Sequence, residues 1–204
     1  MFIASNAPAL ALVRRVNQSS HRYILRNRLV STFELLSKIS HQEKILTFAR
    51  FDEDIAWALG CQIRQWARQA GWPIVVDVRQ FHRQLFFAAL PGSTPDNIEW
   101  VRRKINVVQR FHRSSYAVGC EMAAKSTTLE KCYGLPLHDF IDHGGAFPIT
   151  ADGCGTVGCI TVSGLPQQDD HMLVVRGLCE IQGKNFADLN LTGMGEPVPA
   201  SGDE

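Results

Sequence analysis

The chain has 204 residues, of which 45% are hydrophobic and 20% charged, with a formal net charge of +1. That balance suits one folded domain with a sizeable core. It excludes nucleic acid as a bulk electrostatic partner, and no apolar run reaches the roughly 18–20 residues of a membrane-spanning helix.

Residues 1–30 read as a basic extension. From Met1 to Phe33 there are Arg14, Arg15, His21, Arg22, Arg26 and Arg28 and no acid, a composition shared by organelle transit segments and by simple bacterial extensions. Residues 31–182 carry the periodic patterns of a folded domain. A short helix is expected from Ser31 to Ile39 and a strand from Lys44 to Arg50. Asp52 caps the next helix, Glu53 and Asp54 sit in its positive first turn, and Ile55, Leu59, Ile63, Trp66 and Ala70 form its apolar stripe. Trp57 and Trp66 are both expected in core packing.

Two strands follow, Pro73 to Arg79 and His82 to Leu90. The second contains LFFAAL, apolar on both alternating faces, which predicts a sheet covered on both sides. Thr94 and Pro95 start a helix to about His112, with Ile98, Val101, Ile105 and Val108 turned inward. The same helix carries Arg102, Arg103, Lys104 and Arg110, either a grip for an anionic ligand or a solvated face near the negative end of the dipole. A helix from Tyr116 to Lys125 and a short one after the capping box Thr127-x-x-Glu130 come next, closed by Gly134 and Pro136.

The stretch from His143 to His171 combines a hairpin, a tight turn and a helix start. Asp152-Gly153 is a two-residue hairpin turn between Ala146–Thr150 and Thr156–Ser163. Ser163-Gly164-Leu165-Pro166 then bends the chain into a helix near Gln167 that turns Leu173, Val174 and Leu178 inward. Residues 183–204, rich in Gly, Asn, Pro and acids, read as a disordered tail.

Several groups here have chemistry to offer. His138, Asp139, Asp142 and His143, with Asp169, Asp170 and His171 across the fold, have the residue types of metal ligands but the spacing of no metal motif, so no metal is expected. Ser163 lies at a strand-to-helix bend but lacks the flanking glycines of a nucleophile elbow. A pocket is expected between His143-Gly144-Gly145, the Ser163-Gly164 turn and the helix start bearing Asp170 and His171. The six cysteines, Cys61, Cys120, Cys132, Cys154, Cys159 and Cys179, lack C-x-x-C spacing and read as the reduced thiols of a cytoplasmic protein.

Three stretches resemble one family: LPGSTPDNIEWVRRKINVVQRFHRSSYAVG, DHGGAFPI and GTVGCITVSGLPQQDDHMLVV. They are similar to the GlcG-like, haem-degrading-domain (HbpS-like) superfamily, in its branch from bacteria and fungi. The resemblance implies an α+β fold, a profilin-like three-layer α/β/α sandwich around an antiparallel sheet. It also implies homo-oligomers, from dimers to larger rings, and a tetrapyrrole such as haem as ligand. By position it marks Arg102, Arg103, Lys104, His143, Gly144, Gly145, Ser163, Gly164, Asp170 and His171 as ligand-binding candidates. Arg102 and Lys104 are expected to pair with carboxylates, the glycines to offer backbone amides, and His143 or His171 to stand nearest the reacting centre. Two alternatives remain: an enzyme using His143 or His171 with Asp170 as an acid–base pair, and a non-catalytic assembly protein.

Overall fold

Asp52 starts the first long helix as its chemistry dictates, its side chain accepting the amide of Ile55 at 3.0 Å. This helix, α2 (Glu53–Ala70), ends at Gly71, whose φ of 70° closes it in the left-handed conformation. The computed structural model describes residues 32–191; the basic extension at 1–30 and the tail beyond 191 lie outside the described residues. Before α2 comes α1 (residues 32–45).

The later elements are β1 (Val75–Gln80), β2 (Arg83–Ala89), α3 (Pro95–Phe111), α4 (Ser115–Ala124), α5 (Leu129–Tyr133), β3 (Ala146–Ala151), β4 (Gly155–Ser163), α6 (Gln167–Gln182) and a closing 3-10 turn, Phe186–Leu189. The four strands form an antiparallel sheet in the order β2-β1-β4-β3. Alternation along the strands gives the sheet two apolar faces. Ile74, Val76, Val78, Phe147, Ile149, Ile160 and Val162 pack with Leu59, Ile63, Val174 and Leu178 of α2 and α6. On the other face, Val75, Ala146 and Cys159 meet Val101, Ile105 and Val108 of α3. The fold is therefore α+β with helices on both sides of an antiparallel sheet. Each fully buried Leu, Ile or Val in these layers stabilises the fold by about 1.5–3 kcal/mol relative to exposure.

Several local expectations are corrected. Residues 44–50 form no strand: α1 runs through Ile45, and Phe48 makes only an isolated parallel bridge to Ala151. β2 is not covered on both sides. It is an edge strand on which Phe86 is buried beside Trp57 while Phe87 is 42% exposed, so the doubly covered strands are the neighbours. Trp57 itself is 62% exposed, and Ile98 points outward from the first turn of α3. The β3–β4 turn is a three-residue loop, because Ala151 pairs with Gly155 after a register shift at Ile149/Thr150. The short helix α5 is capped by Thr128 rather than Thr127, its side chain accepting the Lys131 amide at 3.2 Å. The chain does not leave the domain at Gly183 either. Leu189 and Leu191 are buried, and the Leu189 carbonyl accepts the Gln42 amide at 2.6 Å.

Candidate functional site

Helical geometry separates the three consecutive basic residues of α3. Neighbouring residues on a helix point about 100° apart, so a run of three fans over most of the circumference. Arg102 faces outward. It bonds Glu99 at 2.9 Å, Asp139 at 3.0 Å and the His138 carbonyl at 2.6 Å, beside a groove of about 440 Å³ between α3 and β2. Arg103 lies over the Trp100 ring, 4.7 Å from its centroid. Lys104 points inward and is 2% exposed.

The Lys104 ammonium passes the end of the sheet to reach α6 on the far side. Nζ donates to Asp170 Oδ2 at 2.9 Å and to the Val162 carbonyl at 3.1 Å. Asp170 Oδ1 accepts the Leu165 amide at 3.0 Å, which fixes the turn leading into α6. Burial holds the Asp170 carboxyl above its usual range and the Lys104 ammonium below its own, while their attraction opposes both shifts. Such a pair survives burial when further hydrogen bonds support it, here from Lys104 to the Val162 carbonyl and from the Leu165 amide to Asp170.

The glycines make this crossing possible. A Cβ on Gly145, where φ is 124°, would strike the Val162 carbonyl oxygen and come within 2.8 Å of Lys104 Nζ. One on Gly144 would strike the Gln167 carbonyl oxygen. On Gly164, at φ 146°, a Cβ would lie 2.6 Å from the Pro73 carbonyl oxygen, so the glycine lets the β4–α6 turn pack against the chain before β1. Close backbone packing therefore accounts for all three glycines, and the Gly144 amide faces Gln167 Oε1 at 3.4 Å.

Above this floor opens a cleft of about 330 Å³ lined by Trp100, Lys104, His143, Ser163, Gly164 and Asp170, with Asn97, Leu165 and Gln167 completing the wall. His143 packs on Trp100 with ring centroids 5.2 Å apart. Its Nδ1 is buried with no hydrogen-bond partner among the described residues. Burial, with Lys104 and Arg103 nearby, pushes its pKa down to about 4, so the ring is a neutral imidazole near pH 7.

His171 lies apart from this cleft. Although it follows Asp170 directly, it turns toward α1, where Nε2 and Gln42 Oε1 are 2.9 Å apart and the ring packs between Tyr116 and Phe147. Desolvation alone lowers its pKa to about 3. The structure thus brings Lys104, His143, Ser163, Gly164 and Asp170 to one cleft, with Gly144 and Gly145 behind it, while Arg103 lies over the Trp100 ring without lining the cleft. Arg102 and His171 face elsewhere. Trp100, Asn97 and Gln167 are lining residues the sequence reading passed over. The signal was available for the first two, since Asn97, Trp100 and Lys104 recur at the three- and four-residue spacing of one helix face.

Among the described residues no group of three or more His, Cys, Asp or Glu side chains is arranged to hold a metal ion, and no helix is long and apolar enough to cross a membrane. All six cysteines are free.

The fold is thus an α/β/α layer arrangement with a cleft between α3, the loop before β3 and the β4–α6 turn. A family model described as haem-degrading protein HbpS-like matches residues 51–179, and the chain belongs to that family. A UPF0303 protein of Acidobacterium capsulatum is 52% identical over 162 residues, covering 79% of this chain and 98% of the relative. The crystal structure of Ybr137w protein superposes with a TM-score of 0.68 at 28% identity, covering 72% of this chain and 87% of that one. The structure titled PduOC:Heme Complex shares the fold at a TM-score of 0.55 and 15% identity, over 63% of this chain and 93% of its own.

Proposed function

We propose that this protein binds a planar, carboxylate-bearing cofactor of the haem class in the cleft between α3 and the β4–α6 turn. The observation that carries the reading is His143: a neutral imidazole at a cleft wall, its ring tilted against Trp100, with a buried ring nitrogen that meets no partner among the described residues. Family membership and a relative's haem complex support the same class of ligand.

The residues present fit such a group. Iron ligation requires an unprotonated imidazole, and His143 is held unprotonated. Trp100 and Leu165 offer apolar surface for a ring system. Among the described residues Arg103 donates one long bond, to the Glu99 carbonyl at 3.3 Å, so its guanidinium, over the Trp100 ring, keeps donors to spare for a carboxylate. Lys104 would act at the floor through the donor that Asp170 and Val162 leave over. A haem, when bound, supplies iron-centred ligand binding or redox chemistry. The chain's part is to hold one ring nitrogen unprotonated, to orient the ring plane and to keep a neutral ion pair beneath it. An absorption titration with haem tests the reading: a saturable Soret change at one haem per chain is expected, and a linear, non-saturating response would oppose it.

A homo-oligomer is the second part of the proposal, and a cytoplasmic setting the third. The edge strand β2 and the exposed Phe87 and Ile98 beside it favour self-association. Sedimentation velocity should give a mass above 22.7 kDa. Free thiols on all six cysteines fit a reducing compartment.

A further inference from the structure

Behind His143 lies a second, smaller cavity of about 170 Å³ between α4, α5 and the loop preceding β3. His143 and Gln167 line both cavities and so form the wall between them. Its apolar side is built from Met122 and Leu129, both nearly fully buried, with the half-exposed Leu137 at the rim. Its polar side consists of Asp142, Thr127 and Thr128.

Asp142 is unusual among the half-buried acids of the fold. Glu43 accepts the Ser114 amide and Glu121 holds two cations, but among the described residues no donor from another residue reaches the Asp142 carboxylate, which meets only its own amide. Its position is nevertheless fixed. A Cβ on Gly119 would collide with the Asp142 carbonyl oxygen, so that glycine exists to let α4 press against the loop. The Thr128 hydroxyl oxygen already accepts the Lys131 amide and keeps a second lone pair. The polar side of the cavity thus offers acceptors, and among the described residues no lysine or arginine lines it. An uncompensated carboxylate in such a place costs stability that an isosteric amide would recover.

We infer that this cavity is a binding site for a short aliphatic primary amine, whose ammonium meets Asp142 and the threonine oxygens while its alkyl chain lies on Met122, Leu129 and Leu137. An ammonium carries three donors and one positive charge, matching a carboxylate flanked by hydroxyl acceptors. A divalent metal fits less well, because a hard cation takes six or more oxygens and Asp142 is the single carboxylate lining the cavity. The inference does not depend on the haem reading, since it concerns a different cavity and a different charge.

The test is calorimetric titration of the full chain with n-propylammonium chloride at pH 7, repeated on Asp142→Asn and on Asp139→Asn, an exposed acid of the same loop. The wild type and Asp139→Asn should bind saturably and alike, and Asp142→Asn at least tenfold more weakly. In the absence of amine, Asp142→Asn should melt higher, by about 2–4 °C for each kcal/mol recovered. Absence of saturable binding by the wild type, equal binding by Asp142→Asn, or a lower melting temperature for that variant would each overturn the inference. The last would mark Asp142 as a structural group.

Discussion

Lys104 and Asp170 lie 66 positions apart in sequence and 2.9 Å apart in space, and their ion pair joins the helix on one face of the sheet to the helix on the other. Each is 2% or less exposed. Removing either partner leaves a buried charge uncompensated, which costs about 3–5 kcal/mol. Lys104→Met and Asp170→Asn should each lower the urea midpoint accordingly. The double variant Lys104→Met with Asp170→Asn should lose far less than the sum of the two single losses, and a loss equal to that sum would show that the pair is not coupled.

The buried His171 makes a second prediction, about acid. Its folded pKa, about 3, lies below the unfolded value of 6.5. The unfolded chain therefore binds more protons between these limits, and stability falls as pH drops from 6.5 toward 3. The full shift corresponds to roughly 4–5 kcal/mol. Replacing His171 by Gln, which keeps a hydrogen-bonding group toward Gln42 but cannot titrate, should flatten unfolding free energy against pH across that window.

Gln42 is the third case. It is 1% exposed and bonds both His171 and the Leu189 carbonyl, so it clamps the C-terminal segment onto α1. Gln42→Ala would orphan a buried carbonyl and a buried ring nitrogen at about 1–3 kcal/mol each. Limited proteolysis should then cut between Gly183 and Leu191 at protease concentrations that spare the wild type.

Glycine substitutions separate packing from turn preference. Gly145→Ala drives a methyl group into the Val162 carbonyl and the Lys104 ammonium, whereas Gly153, at φ 72°, has open space around it. Gly153→Ala should cost only the left-handed strain of roughly 1–2 kcal/mol. Gly145→Ala should cost distinctly more and weaken ligand binding as well, because it displaces the cleft floor. Thermal melts of the two variants, with the haem titration run on each, read the difference.

Features written in local chemistry were legible from the sequence. The Asp52 cap, the Thr94-Pro95 start of α3 and the Gly164 bend each depend on residues within a turn of one another. The candidate pocket was legible to the same degree, since His143 and the Ser163-Gly164 turn do meet around it. What stayed hidden depends on partners far along the chain. Arg102, Arg103 and Lys104 read as one basic patch because nothing nearby says that Asp170 awaits the third of them. Asp170 and His171 read as neighbours in one site, yet a single helical step sends them to a cleft and to the core. LFFAAL reads as a strand covered on both sides because its apolar content says how much it wants covering, whereas the topology that leaves Phe87 on an edge is decided by the other strands.

The most direct test of the central claim compares haem titrations of the wild type, His143→Ala and His171→Ala, with circular dichroism to establish that each variant is folded. The account predicts a saturable Soret change that His171→Ala retains and His143→Ala loses, because only His143 lines the cleft. An unchanged titration in folded His143→Ala would contradict it.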